Sequence, residues 1–215
     1  MKTLPSSDQL DAIILDFGGV LFDIDYLRPA VAFKQLGLDN FEEIYSKATQ
    51  SDLFDRLETG AISNTDFLKA LQQHLPPRVT LDQVEAAWNT ILLDIPKARI
   101  DFVHQLKERY RMFLLSNTNA IHVAQFEKTI DQKMGLSYFY QGFEKIHYSN
   151  VLGIKKPAPS TYLHLCELHG LDPARTLFVD DSPQHVKGAL DAGLHAYHLE
   201  LPEEEITDIL AHLIS

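Results

Sequence analysis

Residues 12–23 read Ala-Ile-Ile-Leu-Asp-Phe-Gly-Gly-Val-Leu-Phe-Asp, four apolar residues running straight into an aspartate and a glycine pair. Ala12 to Leu15 show no alternation of apolar and polar residues, which is the pattern of a strand covered on both faces in a parallel sheet. Asp16 then stands at the carboxyl end of that strand, the edge at which open α/β sheets bind their ligands. Gly18 and Gly19 permit a sharp turn and a close approach of the backbone to whatever lies there. A plain strand-end turn satisfies the same stretch, so the rest of the chain must decide between the two readings.

Outward from Asp23 the pattern is helical to about residue 94, with no strong strand candidate. Ser63-Asn-Thr-Asp66 and Thr80-Leu-Asp-Gln83 resemble capping boxes, the second being the weaker pairing. Phe67, Leu68, Leu71 and Leu75 share one helical face after the first box, and Val84, Trp88 and Ile91 share one after the second. Earlier helices are expected from about Leu27 to Leu36 and from about Thr49 to Leu57, with Gly37 and Gly60 as helix ends. The result is a small bundle of about four helices over residues 23–94, inserted into a core made of residues 1–22 and 95–215.

From Pro96 onward strand and helix signals alternate. Pro96 suits the first turn of a helix carrying Ile100, Val103 and Leu106. Short strands are expected at Arg111 to Leu115, Lys145 to Ser149, Thr176 to Val179 and near residues 194–199, and Tyr138 to Phe143 reads as a less regular aromatic stretch. Ser182 and Pro183 fit the N-cap and first position of the helix that closes at Gly193. Such alternation predicts βαβ units, hence a Rossmann-like three-layer core around a parallel sheet with a helical-bundle insert.

Composition narrows the function. The formal charge of −11 argues against a nucleic-acid or anionic-membrane surface, both of which need a positive stripe. The single cysteine, Cys166, excludes an internal disulfide, and no apolar run reaches membrane-spanning length. Met1 to Leu10 lack the apolar core of a signal peptide, so the expected setting is cytoplasmic.

Strand ends or the loops after them carry polar groups in a fixed order: Asp16, Ser116, Lys156, then Asp180 and Asp181. Together they supply what phosphoryl transfer needs, namely a nucleophile, a donor to phosphate oxygens, a cation, and carboxylates for a hard divalent metal such as Mg2+. Carboxylates crowded into one cleft raise one another's pKa values, and a bound cation would keep Asp16 ionised.

These stretches resemble the four motifs of the haloacid dehalogenase superfamily, most of whose members are phosphatases. Asp16-Phe-Gly-Gly-Val-Leu21 is similar to the first motif and Leu114-Leu-Ser-Asn-Thr-Asn119 to the second. Gly153-Ile-Lys-Lys-Pro157 is similar to the third and Phe178-Val-Asp-Asp-Ser182 to the fourth. The helical insert sits where the family places its cap, and within the superfamily the chain looks most like capped sugar-phosphatases of the glucose-1-phosphate phosphatase type. The resemblance implies a Mg2+-dependent phosphatase acting on a small phosphorylated metabolite. It makes Asp16 the nucleophile and Lys156 its charge partner, with Lys155 a solvated neighbour. Ser116 and Asn117 would bind phosphate, and Asp16, the carbonyl of Gly18, Asp180 and Asp181 would hold the metal.

One position departs from the pattern. Family phosphatases usually carry a second aspartate two residues after the nucleophile as general acid and base, and this chain has Gly18 there. General acid–base help is worth about 10² to 10⁴ in rate, so its absence weakens a phosphatase without abolishing it. Haloalkanoate dehalogenases of the superfamily also lack that aspartate but need no metal, and a non-catalytic phosphate-binding regulator is the other alternative. Asp180-Asp181 argues against the dehalogenase. The histidines are scattered and read mostly as structural, His185 included, and Trp88 reads as packing inside the insert.

Overall fold

The computed structural model describes residues 4–38 and 52–214. Its centre is strand β1 (Ala12–Leu15), all four residues of which are buried, as the unalternating sequence requires. β1 pairs in parallel with β2 (Arg111–Ser116) on one side and with β4 (Thr176–Asp180) on the other. β3 (Lys145–Tyr148) extends the sheet beyond β2, and β5 (His195–His198) extends it beyond β4, giving the order β3-β2-β1-β4-β5. The chain therefore winds outward in both directions from β1. The crevice between β1 and β4, where the winding reverses, is the ligand-binding position of such sheets.

Successive β1 side chains point to opposite faces, and the core divides accordingly. Ile13 and Leu15 join Met112, Leu114, Leu177 and Val179 under α5 (Lys97–Lys107), α6 (Ala120–Met134) and α7 (Leu136–Gln141). Ala12 and Ile14 join Phe113, Leu115 and Phe178 under α9 (Pro159–His169) and α10 (Pro183–Asp191). The three layers follow from that division. A single turn, α8 (Ser149–Leu152), leads from β3 into the loop at Gly153, and α11 (Ile206–Ile209) lies near the C-terminus.

The segment between β1 and α5 folds around apolar side chains of its own. Among the described residues its helices are α1 (Arg28–Gln35), α2 (Leu53–Glu58), α3 (Asn64–Gln72) and α4 (Leu81–Trp88). Phe33, Leu57, Phe67, Leu71, Val84 and Trp88 form a buried cluster there, and Ile121 of α6 is the core residue that joins it. The box at Thr80 forms reciprocally, although it was the weaker of the two in sequence. At Ser63 the side chain accepts from the Asp66 N–H without the return bond from the acid. Thr49 to Ser51, the expected start of the second helix, lie outside the described residues. Two passages join the insert to the sheet and run side by side: the Asp23 N–H donates to the Asp94 carbonyl at 2.7 Å and the Leu93 N–H to the Asp23 carbonyl at 3.0 Å. Arg99 of α5 braces them, bonding Asp23 at 2.7 Å and Glu205 through both guanidinium edges at 2.8 Å.

Two local expectations are corrected. Pro96 is the N-cap of α5 rather than part of its first turn, because its extended ψ of 120° keeps it outside the helix. The aromatic stretch forms α7, since Phe139 and Phe143 bury against Phe17 and the sheet and so reward helical spacing. No helix among the described residues is long and apolar enough to cross a membrane.

Candidate active site

The register of the sheet brings the polar strand ends together. Leu15 pairs with Leu114 and with Val179, so Asp16, one residue past β1, is level with Asp180, the last residue of β4, and Ser116 ends β2 one step further along. The Asp16 N–H donates to the Val179 carbonyl at 2.9 Å, which fixes its backbone in line with the sheet. Lys156 enters from the loop after Gly153. Its Nζ donates to Asp16 Oδ1 and to Asp180 Oδ2, each at 2.6 Å, and its side chain is fully buried.

The charges in this triad are unequal. Burial, reinforced by the Asp180 carboxylate, pushes Asp16 up to about 7 despite the bond from Lys156. Burial opposes the charge of Asp180 too, but Lys156 and His185 outweigh it and bring that carboxyl down to about 2. Burial likewise opposes the ammonium of Lys156, and the two carboxylates more than compensate, holding it above the ordinary lysine range. Asp180 thus carries the settled negative charge, and Asp16 is the carboxylate held at a cost.

Asp180 is held by three protein donors. Besides Lys156 it accepts from the Ser182 N–H at 2.7 Å, and His185 Nδ1 lies 3.0 Å from both of its oxygens. A ring nitrogen of His185 and one oxygen each of Asp16 and Asp180 lie within 4.8 Å of one another. The sequence places His185 in the first turn after Asp180-Asp181 with a structural reading, and the structure sets its ring against both oxygens of Asp180.

Asp181 differs from its neighbour. Its carboxylate accepts from its own backbone N–H with no side-chain donor among the described residues, and burial followed by Asp180 raises its pKa. It reaches back over the first glycine pair: a Cβ on Gly19, whose φ is +81°, would lie 2.3 Å from Asp181 Oδ2. Gly19 therefore makes room for Asp181, whereas Gly18 faces the insert, where a Cβ would stand 3.2 Å from Ile24 Cδ1. A side chain at position 18 would therefore press on Ile24. A half-buried carboxylate with no side-chain donor, beside a second one raised to about 7, suits a divalent cation, which would compensate both.

Ser116 is buried at the floor of the same cavity, with its hydroxyl unbonded among the described residues. Asn117 also lines the cavity, but its carboxamide bonds the backbone of Lys156. The cavity, about 560 Å³, runs from this floor up to Phe54, Leu57, Glu58 and Trp88 of the insert. Trp88 packs on Phe54 and Phe67 inside the insert and stacks on His122 of α6. Lys155 is not a solvated neighbour: its Nζ bonds Asp55 and, at 2.7 Å, Glu58, both on α2. Close by, Gly60 comes so near the Asn150 carbonyl that a Cβ would sit 2.3 Å from it.

A carboxylate and a buried lysine meet at the winding reversal of a doubly wound parallel α/β sheet, the ligand position of such folds. The chain belongs to the haloacid dehalogenase-like hydrolases, whose family pattern matches residues 10–193. It is 29% identical over 191 residues to the D-ribitol-5-phosphate phosphatase of Bacteroides thetaiotaomicron, covering 87% of this chain and 91% of that protein. A HAD family enzyme from the same organism, solved with magnesium and inorganic phosphate, superposes with a TM-score of 0.83 at 32% identity, covering 93% of this chain and 98% of that one. A predicted HAD-like hydrolase from Porphyromonas gingivalis gives 0.82 at 30% identity, over 95% and 98% of the two chains.

Proposed function

We propose that this protein is a Mg2+-dependent phosphatase that hydrolyses a small phosphomonoester, a sugar or polyol phosphate, through an aspartyl-phosphate on Asp16. The observation that carries the reading is the buried Asp16 at the cavity floor with Lys156 Nζ 2.6 Å from its carboxylate. Asp16 attacks phosphorus in line, the alcohol departs toward the insert, and water then cleaves the acyl phosphate to restore the carboxylate. Lys156 stays protonated and offers its charge to the phosphoryl oxygens, while Ser116 and the main chain of Asn117 supply hydrogen bonds. Asp16, the Gly18 carbonyl, Asp180 and Asp181 would hold the metal, with Asp181 the residue most in need of it. When bound, Mg2+ neutralises the phosphate and keeps Asp16 ionised. The named activity of the Bacteroides relative supports a polyol phosphate as substrate. Residues 23–94 serve as the cap, and the lone buried Cys166 fits a reducing, cytoplasmic setting.

The test is phosphate release from D-ribitol 5-phosphate, glucose 1-phosphate, glucose 6-phosphate and an aryl phosphate, with Mg2+ and with chelator. Release that needs Mg2+ is expected. With Gly18 where an acid is usual, the aryl ester should exceed the sugar esters in kcat by roughly 10²-fold. Silence on every phosphate, together with metal-independent halide release from a 2-haloacid, would replace the phosphatase with a dehalogenase. Silence in both assays, with phosphate still bound, would leave a non-catalytic binding protein.

Lys155 gives a further expectation. Its side chain is 26% exposed and joins the third-motif loop to α2 of the cap, so Lys155→Met should loosen closure. Half-exposed ion pairs are worth about 1 kcal/mol at most, which corresponds to a roughly fivefold fall in kcat/KM. Salt sensitivity is the discriminating measurement: wild-type activity should fall between low and high ionic strength, and that of the variant should stay flat.

A further inference from the structure

We infer that Asn117 is a positioning residue for Lys156, acting through that lysine's backbone; the inference rests on the phosphatase reading above. The carboxamide grips the backbone of one residue at both its N–H and its carbonyl. Nδ2 donates to the Lys156 carbonyl at 3.0 Å, and the Lys156 N–H donates to Oδ1 at 3.0 Å. The acceptor and one N–H of the side chain are thereby committed to a residue 39 positions away in sequence.

Lysine is a flexible four-carbon stem, and placing its ammonium 2.6 Å from two carboxylates requires the backbone beneath it to be fixed. The loop is held at consecutive carbonyls. Thr161 Oγ1 donates to the Lys155 carbonyl at 2.8 Å, Asn117 holds Lys156, and the Pro157 carbonyl lies so close to Gly188 that a Cβ there would stand 2.0 Å away. Thr161 and Gly188 belong to α9 and α10, on the far side of the loop. Asn117 ties it to the end of β2, one residue past the Ser116 hydroxyl. The clamp therefore sets the spacing between Ser116 and Lys156, the hydroxyl and ammonium that face the same phosphate.

The chemistry selects asparagine. Aspartate would turn an oxygen toward the Lys156 carbonyl, serine is too short to bridge the peptide, and glutamine is one methylene too long. Misplacing a reacting group by an ångström costs about 10² in rate, and that is the loss expected for Asn117→Ala.

The experiment is a double-mutant cycle of Asn117→Ala and Lys156→Met, read as kcat/KM on an aryl phosphate and as the Kd of inorganic phosphate with Mg2+ by calorimetry. If Asn117 acts through Lys156, Asn117→Ala costs roughly 10²-fold in the wild type and nothing further in the Lys156→Met background. Equal losses in both backgrounds would overturn the inference and make the carboxamide a phosphate contact in its own right. Amide exchange supplies a second readout that does not need the Lys156 variant to be stable. The Lys156 N–H should lose protection in Asn117→Ala and keep it in Ser116→Ala, and retained protection in Asn117→Ala would also overturn the clamp. A wild type that binds no phosphate at all would instead count against the phosphatase reading.

Discussion

Asp16→Asn will end phosphate release and leave the metal-free protein at least as stable as the wild type. Activity disappears because an amide cannot attack phosphorus as a carboxylate does, and the loss should reach the background of the assay. Stability moves the other way. Asp16 is buried, and burial plus Asp180 lifts its pKa from about 3.8 to about 7. A carboxyl raised in this way binds its proton more tightly folded than unfolded. Its contribution is therefore best at low pH and is lost as pH climbs through the window from about 4 to about 7. Asparagine keeps the shape and an acceptor for Lys156 while removing that penalty. Thermal melts in chelator should show the variant matching the wild type at pH 4 and melting about 4 °C or more above it at pH 8. A variant that melts lower at pH 8 would mean that the Lys156 bond outweighs the burial of Asp16.

The same contrast explains why the site reads as functional. A residue selected for stability would not sit with its charge opposed by burial and by a neighbouring carboxylate. Asp16 and Asp181 are both raised and Asp180 alone is low, so the protein has placed two discontented carboxylates around one cavity. Mg2+ in that cavity would relieve both. Chelation should accordingly lower the melting temperature of the wild type more than that of Asp16→Asn.

The elements that position this centre were legible in the sequence because each is written in a local code. The unalternating run Ala12 to Leu15 gives a strand buried on both faces, Ser182-Pro183 gives the start of α10, and the order of polar strand ends gives the floor of the site. What escaped depends on partners far away in the chain. Lys155 looks like any surface lysine until α2 is laid against it. Asn117 looks like a phosphate ligand until the loop 39 residues on is folded onto it. Gly18 and Gly19 looked equivalent, yet one faces Ile24 and the other makes room for Asp181. His185 was close to legible, since its spacing from Asp180 was on the page, but its role required knowing that α10 turns that face toward β4.

Lys156→Met will cut activity by roughly 10²- to 10³-fold, short of the complete loss in Asp16→Asn, and at a heavy cost in stability. The lysine is the buried countercharge of both carboxylates, and its stem lies with Nζ 5.3 Å from the centre of the Phe178 ring. Methionine fills the same space with no charge. Asp180 retains His185 and the Ser182 N–H, but Asp16 loses its bond to Lys156 Nζ, and breaking a buried pair from one side costs about 3 to 5 kcal/mol. For a chain of this size that is a fall of about 10 °C or more in melting temperature, against a kcat loss of roughly 10²- to 10³-fold. The sign with pH follows from Asp16: without the ammonium its carboxyl rises further, so the destabilisation should be greatest above pH 7 and shrink on acidification as Asp16 takes up a proton. The double variant Asp16→Asn/Lys156→Met separates charge from packing. It should recover most of the lost melting temperature at pH 8 while remaining inactive, because removing the carboxylate removes what the lysine was neutralising. If the double variant melts no higher than Lys156→Met, the cost lies in the packing of the Lys156 stem and not in the charge it carries.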